Sequence, residues 1–204
     1  LEIKLATPST PKTPKKATKK KGTETPANMI SVVIPAYNEE HAIADTISGI
    51  TTAMTDMGCD QFEILVVDDG SSDGTGDAAK KAGAKVMRKP QNIGYGHSLK
   101  IGIREATYDT IVITDADGTY PVDKIPELVK RYNEGFNMVV GARTGPHYRG
   151  SAIKGPLRLI LKFLVEFSTG RSIPDANSGL RVFSRIEAIA FFNQLSDGFS
   201  FTTS

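Results

Sequence analysis

The sharpest chemical feature of the sequence is a pair of aspartates, Asp115 and Asp117, separated by Ala116. Residues i and i+2 of an extended segment point the same way. Two carboxylates held like that repel each other unless a cation lies between them. A hard divalent ion with oxygen ligands, Mg²⁺ or Mn²⁺, suits the pair, with a diphosphate sharing its shell. Such an ion offsets the charge that builds on a departing diphosphate. An isolated D-x-D occurs often by chance, so its weight comes from what surrounds it. Three other polar clusters stand in the sequence: Pro35-Ala-Tyr37-Asn38-Glu39-Glu40, Asp68-Asp69-Gly70-Ser71-Ser72-Asp73-Gly74 and Gly141-Ala-Arg143. Asp73 also suits a cap for the helix that follows it.

Each cluster follows a strand pattern. Ile30-Ser-Val-Val-Ile34 is a β-branched run stopped by Pro35. Phe62–Val67, Ala84–Arg88, Thr110–Thr114 and Phe136–Gly141 read as further strands. Between them lie helical patterns at 40–57, 74–82, 95–106 and 123–133, the first carrying Ala42, Ile43, Ile47, Ile50 and Met54 at helical spacing. Strands alternating with helices imply an α/β fold, a Rossmann-like, mostly parallel sheet with helices on both faces. Ligands of such sheets sit at the carboxyl ends of the strands, where all four clusters fall.

Composition removes several alternatives. The single cysteine, Cys59, forms no intrachain disulfide and no CxxC metal site, and reads as core filler. His41, His97 and His147 have no metal-ligand spacing. His97, after Gly94-Tyr-Gly96, reads as structural. No run of about 18 apolar residues is present, and the first 29 residues hold no apolar stretch of the secretory kind. The net charge of +2 is unevenly spread. Residues 1–29 carry seven lysines and two glutamates, and the remainder carries 18 basic and 21 acidic side chains. The slightly acidic remainder argues against a nucleic-acid partner. Residues 1–29 read as a disordered basic tail, too poor in apolar residues to offset ordering entropy. Its lysines also suit an anionic lipid surface.

The motifs, taken together, resemble the glycosyltransferase family that includes dolichol-phosphate mannose synthases and bacterial polyprenyl-phosphate glycosyltransferases. The resemblance rests on P-A-Y-N-E at 35–39, V-V-D-D-G-S-S-D-G-T at 66–75, D-A-D-G-T-Y-P at 115–121, G-A-R at 141–143 and D-A-N-S-G-L-R at 175–181. It covers about 155 of the 204 residues and implies the GT-A fold. It also implies nucleotide contacts from Pro35, Tyr37, Glu39, Val67, Asp69 and Ala116. By the same resemblance Asp115 is the sugar–ribose carboxylate and Asp117 the principal metal ligand. The mannose synthases usually carry Gln two residues after the second aspartate. Thr119 stands there in this sequence, with a hydroxyl able to coordinate the ion or a water.

The implied activity is metal-dependent, inverting transfer of a sugar, mannose or glucose, from a GDP- or UDP-sugar to dolichyl or polyprenyl phosphate. A lipid phosphate is already anionic near neutral pH, so it needs cationic positioning and no general base. Arg143 is the first candidate for that task, ahead of Arg149, Arg158 and Arg181. Arg181 equally suits holding the Asp175 loop. Residues 153–167, IKGPLRLILKFLVEF, place Lys154, Arg158, Lys162 and Glu166 on one stripe with Leu, Ile, Val and Phe elsewhere. A helix so patterned, near 153–168, lies in a membrane interface or serves as a core or dimer helix. The expected domain is 30–204, on the cytoplasmic face of a membrane. Phe199–Ser204 read as the opening of a further element, and the resemblance implies C-terminal transmembrane helices beyond it. Two alternatives stand beside this reading. One is the same fold acting on a saccharide, with Asp175 or Asp197 as base. The other is a nucleotide-sugar-binding protein without turnover. A dinucleotide-binding reading fails, because no G-x-G-x-x-G follows the first strand.

Overall fold

The computed structural model describes residues 2–5, 29–144, 175 and 178–198, with the backbone path alone at 2–5, 143 and 144. The β-branched runs build its sheet. Strands β2 (Met29–Ala36), β3 (Gln61–Asp68), β4 (Lys85–Arg88) and β5 (Thr110–Ile113) pair in parallel, with β2 between β3 and β5. Strand β7 (Arg181–Ser184) lies antiparallel between β5 and β6 (Met138–Thr144), so β6 runs parallel to β5. Strand β1 (Glu2–Leu5) pairs antiparallel with the outer edge of β6. The order is β1-β6-β7-β5-β2-β3-β4.

The period-two alternation of β2 divides the core. Ile30, Val32 and Ile34 face one layer, with buried residues of α1 (Ile43–Asp56), α2 (Thr75–Lys81) and α4 (Ile125–Asn133). Val33 and Leu65 face the other, with Leu99 and Ile103 of α3 (Tyr95–Glu105). Beside them stands α5 (Arg185–Ala190). This is the mostly parallel sheet with helices on both faces that the strand–helix alternation predicts. Ser31 is the one polar residue of β2, fully buried, and is matched on both sides. Its hydroxyl donates to Glu63 Oε1 at 2.6 Å and accepts from Tyr108 N at 3.1 Å.

Several boundaries differ from expectation for local reasons. β2 continues through Pro35 instead of stopping before it. The Val33 carbonyl accepts from Thr114 N on the β5 side and the Ala36 carbonyl from Asp69 N on the β3 side. The missing Pro35 N–H therefore faces β5, past the last β5 pair, Val33 with Ile113. No ladder bond is lost. The helix expected over 123–133 opens with a 3₁₀ turn, Val122–Lys124, and Pro126 stands in the first turn of α4, where its missing N–H has no helical acceptor to serve. The disordered-tail expectation needs one correction. Leu1-Glu-Ile3-Lys-Leu5 alternates apolar and charged residues, the strand period, and Glu2–Leu5 forms β1. The remainder of that stretch, 6–28, lies outside the described residues, as do the helix near 153–168, Arg149 and Arg158. Among the described residues no helix is long and apolar enough to cross a membrane.

Leu99 is completely buried between α3 and the sheet. Leu99→Ala is expected to lower stability by about 2–5 kcal/mol in urea unfolding. A loss under ~1 kcal/mol would contradict the packing of that layer.

Candidate active site

The loops leaving β2 and β3 are fastened to each other. Asn38, at φ 55°, accepts from Ser72 N at 2.9 Å through its side-chain oxygen, and its own N–H donates to Ser71 Oγ at 3.0 Å. Glu39 N donates to Thr75 Oγ1 at 2.8 Å, and Gly74 N to Glu40 Oε2 at 2.7 Å. Asp73 caps the start of α2 through Thr75 N at 3.0 Å. The Thr75 hydroxyl and amide hold the Asp73 carboxyl below the usual carboxylate range. The polar clusters thus act as one rim.

Beneath the rim lies a buried ion pair. Lys89 Nζ stands 2.5 Å from Asp69 Oδ1, both side chains nearly inaccessible. Asp69 also accepts from Ile93 N and Gly94 N, each at 2.9 Å, and Lys89 donates to Ser98 Oγ at 3.2 Å. Burial pushes the Asp69 carboxyl up, but Lys89 and the two amides outweigh it and hold the group below its ordinary range. The pair ties β3 and β4 to the loop that starts α3.

After β5 the chain presents Asp115, half-buried, and Asp117, exposed. Asp117 Oδ1 accepts from Thr119 N at 2.9 Å, and the Ala116 carbonyl accepts from Thr46 Oγ1 of α1 at 3.1 Å. Glu39 shows what these acids do to each other. Its carboxyl is raised by burial first, and then by the fields of Asp117, Asp73 and Asp115. The β2, β3 and β5 ends therefore share one negative field.

Asp115 rests on a second ring of groups. Tyr95 Oη donates to Asp115 Oδ1 at 2.9 Å. Burial and the Asp115 charge raise the Tyr95 hydroxyl far above its ordinary range, so it stays a proton donor. Gly179 packs directly against the carboxylate: a Cβ there would lie 2.7 Å from Asp115 Oδ2. The Gly179 amide donates to the buried Tyr120 hydroxyl at 2.6 Å. Ser178 Oγ donates to the Gly141 carbonyl at 2.5 Å and Arg181 Nε to the Ser178 carbonyl at 2.9 Å. Burial lowers the Arg181 guanidinium, against the fields of Tyr95, Asp175 and Tyr120.

A family model described as Glycosyl transferase family 2 matches residues 31–188. The chain belongs to that family. It is 34% identical over 169 residues to the undecaprenyl-phosphate 4-deoxy-4-formamido-L-arabinose transferase of Salmonella typhimurium, covering 78% of this chain and 50% of the relative. The same enzyme of an Enterobacter species is 33% identical over 162 residues, covering 76% and 49%. The chain spans about half the length of these curated relatives. Among solved structures it resembles the glucosyl-3-phosphoglycerate synthase of Mycobacterium tuberculosis, with TM-score 0.64 and 26% identity over 86% of this chain and 64% of that one. The same synthase in complex with Mn²⁺, UDP-glucose and phosphoglyceric acid gives TM-score 0.62 and 26% identity, covering 86% and 62%. The fold of this family 2 domain is of the GT-A type.

Of the residues expected to meet a nucleotide, Tyr37 is 47% exposed and Glu39 half-buried on the rim. Pro35, in β2, and Ala116, in the loop after β5, are buried. Val67 sits deeper than a base contact requires. Its side chain is fully buried towards Gly102 of α3, so only its backbone remains for a ligand. Asp69 likewise lies in the wall, its carboxylate held by Lys89, Ile93 and Gly94. Arg143 follows Gly141-Ala at the carboxyl end of β6, paired in register with Ile3, and its side chain lies outside the described residues. Asp175 is buried near Arg181. Asp197, the other candidate base, lies beside the start of α3, bonded to Lys100 Nζ at 2.6 Å and held below the carboxylate range by it. Lys89, Tyr95, Tyr120 and Thr46 were not expected from sequence. Tyr95 carries a local signal, its place between Gly94 and Gly96, and Tyr120 lies within the D-A-D-G-T-Y-P motif.

Among the described residues no group of three or more His, Cys, Asp or Glu side chains is placed to hold a metal. The donor set present still fits one. Asp117, with Asp115 and Thr119 beside it, offers hard oxygen ligands in a negative field, and Mg²⁺-type sites commonly take one or two carboxylates and complete the shell with substrate phosphates.

Lys89→Met leaves Asp69 buried without its cation, with an expected loss of about 3 kcal/mol near pH 7. The native pair's contribution is present above the carboxylate's unfolded pKa and fades as pH falls through its lower folded value. The deficit of the variant should therefore hold down to about pH 4 and shrink below it, measured by urea unfolding across pH. Gly179→Ala should displace the Asp115 carboxylate and, if the site takes a nucleotide-sugar, reduce that affinity at least tenfold by calorimetry. An unchanged affinity would show that Asp115 needs no such close support.

Proposed function

We propose that this domain transfers a hexose from a nucleotide diphosphate donor to a polyprenyl or dolichyl phosphate at the cytoplasmic surface of a membrane, with inversion and with divalent-metal dependence. The observation that carries the reading is the shared negative field of Glu39, Asp115 and Asp117 at the carboxyl edge of β2 and β5. A nucleotide diphosphate with its cation is the ligand class such a field suits. The likeness to undecaprenyl-phosphate transferases supports the acceptor class. The synthase complex with Mn²⁺ and UDP-glucose supports the donor and metal class.

In this reading Tyr37 offers its exposed ring to the base and Glu39 accepts from ribose. Asp115 orients the sugar and ribose hydroxyls, and Asp117, aided by Asp115 and Thr119, holds the cation. A divalent cation, when bound, offsets the charge gathering on the departing diphosphate. Transfer is one displacement. An acceptor phosphate oxygen forms a bond to the anomeric carbon, and the bond from that carbon to the diphosphate oxygen breaks, the diphosphate leaving with the electron pair. No protein base is needed for an anionic nucleophile. Arg143, Arg158 and Arg181 are the cations assigned to the acceptor phosphate, and the helix near 153–168 is assigned to the lipid surface.

A second reading keeps the donor and changes the acceptor to a hydroxyl-bearing molecule, as the name glucosyl-3-phosphoglycerate synthase implies for the structural neighbour. That acceptor needs a base. Asp197 is bound to Lys100, which leaves Asp175 as its candidate.

Calorimetric titration with GDP-mannose, UDP-glucose, GDP and UDP, with and without Mn²⁺, tests the donor half. One nucleotide should bind at least tenfold more tightly with Mn²⁺, and Asp117→Ala should abolish that gain. Metal-independent binding, or none, would overturn the metal-dependent reading. Incubation of the full-length protein with that donor and either undecaprenyl phosphate or 3-phosphoglycerate then separates the two acceptors by product.

A further inference from the structure

Tyr95 stands where two parts of the site meet. Its hydroxyl donates to Asp115 Oδ1 at 2.9 Å, and it lies in the fields of both Asp115 and Arg181. Its aromatic body packs against the second core layer, whose buried members include Leu99 and Ile103 of the same helix. The hydroxyl is thus the polar tip of an otherwise anchored ring.

The anchoring is unusually firm for a helix start. Gly96 N donates to the Gly198 carbonyl at 3.2 Å and His97 N to the Asp197 carbonyl at 2.9 Å. Lys100, one turn on, bonds the Asp197 carboxylate and the Leu195 carbonyl, each at 2.6 Å. Two N–H groups that a helix start leaves without internal partners are satisfied by the segment after α5. That segment lies so close that a Cβ on Gly96 would fall 2.5 Å from the Ser196 carbonyl oxygen. On the other flank, the Asp69 carboxylate holds the amides of Ile93 and Gly94. Tyr95 is therefore fixed from both sides in sequence.

Asp115 needs such a guide. It stands among like charges, Glu39 and Asp117, whose repulsion acts on the carboxylate's orientation. A donor hydroxyl at one oxygen and the Gly179 backbone against the other leave the carboxylate a narrow range of orientations. We propose that Tyr95 is a positioning residue for Asp115, whose hydroxyl fixes the carboxylate in the orientation that receives the nucleotide-sugar. The proposal rests on the donor-site reading above. Removing a partner that orients a metal- or substrate-binding carboxylate typically costs 10- to 100-fold in affinity or activity.

A double-mutant cycle tests it. Wild type, Tyr95→Phe, Asp115→Asn and the double variant are titrated with UDP and GDP in the presence of Mn²⁺ and followed by thermal unfolding. The expected result is a 10- to 100-fold weaker dissociation constant for Tyr95→Phe, with its unfolding midpoint near wild type. In the Asp115→Asn background the Tyr95→Phe change should add less than threefold, because the tyrosine acts through that carboxylate. A merely structural role predicts a lowered midpoint and the same fold-loss in both backgrounds, and that result would overturn the proposal. Unchanged affinity for Tyr95→Phe beside a clear loss for Asp115→Asn would overturn it while leaving the donor-site reading intact. Failure of wild type to bind either nucleotide would remove the donor-site reading and this inference with it.

Discussion

Negative charge collected at one edge of a parallel sheet is the constraint to which the surrounding structure answers. Five aspartates and two glutamates stand at or within a few residues of the ends of β2, β3 and β5. Each is handled differently. Asp68 is completely buried, accepts from Ser71 N at 2.9 Å and stands 3.4 Å from Arg88 Nε. Asp69 is neutralised by Lys89, Asp73 is used on a helix start, and Asp115 is held by a phenol. Asp117 and Glu39 remain on the rim, where their mutual field is a resource for binding a cation-laden ligand and a cost in its absence.

The same arrangement explains why the wall of the site is so heavily cross-bonded. A like-charge cluster tends to open the loops that bear it. Here the loops after β2 and β3 are joined by bonds from Asn38, Glu39 and Glu40 to Ser71, Ser72, Asp73, Gly74 and Thr75. The Lys89–Asp69 pair then fixes this rim to the start of α3. Rigidity in the wall lets the exposed carboxylates keep their spacing without a bound ligand, the condition for a site built before its ligand arrives.

Sequence carried most of the parallel half of the fold. Continuous β-branched runs followed by acidic loops are strong signals, because both the buried strands and the charged edge follow from residue type alone. Asp115 and Asp117 were legible for that reason, and so was the Asp73 cap. What sequence hid depends on contacts distant along the chain. β7 is four residues long and has no distinctive alternation, so its insertion beside β5 was not foreseen. Val67, a nucleotide contact by resemblance, has its side chain fully buried against the α3 layer, a placement set by Gly102 far along the chain. Tyr95 lies 20 residues before Asp115 and Gly179 64 after it, and neither advertises the carboxylate that it touches. The strand at Glu2–Leu5 adjoins a lysine-rich stretch whose composition hides its short alternation.

The insertion of β7 between β5 and β6 also orders events during synthesis. β6 leaves the ribosome before β7, but it shares no ladder with β5. Until Arg181–Ser184 is available, β5 and β6 each keep a bare edge, and the sheet is two fragments. The first fragment, β2 to β5, already contains the acidic loops and can assemble from contacts close in sequence, which close early at little entropic cost. Joining β6 to it must wait for more than thirty-five further residues. The nascent domain thus holds an unpaired, apolar strand edge for the time that stretch takes to translate, the kind of surface on which chaperones act.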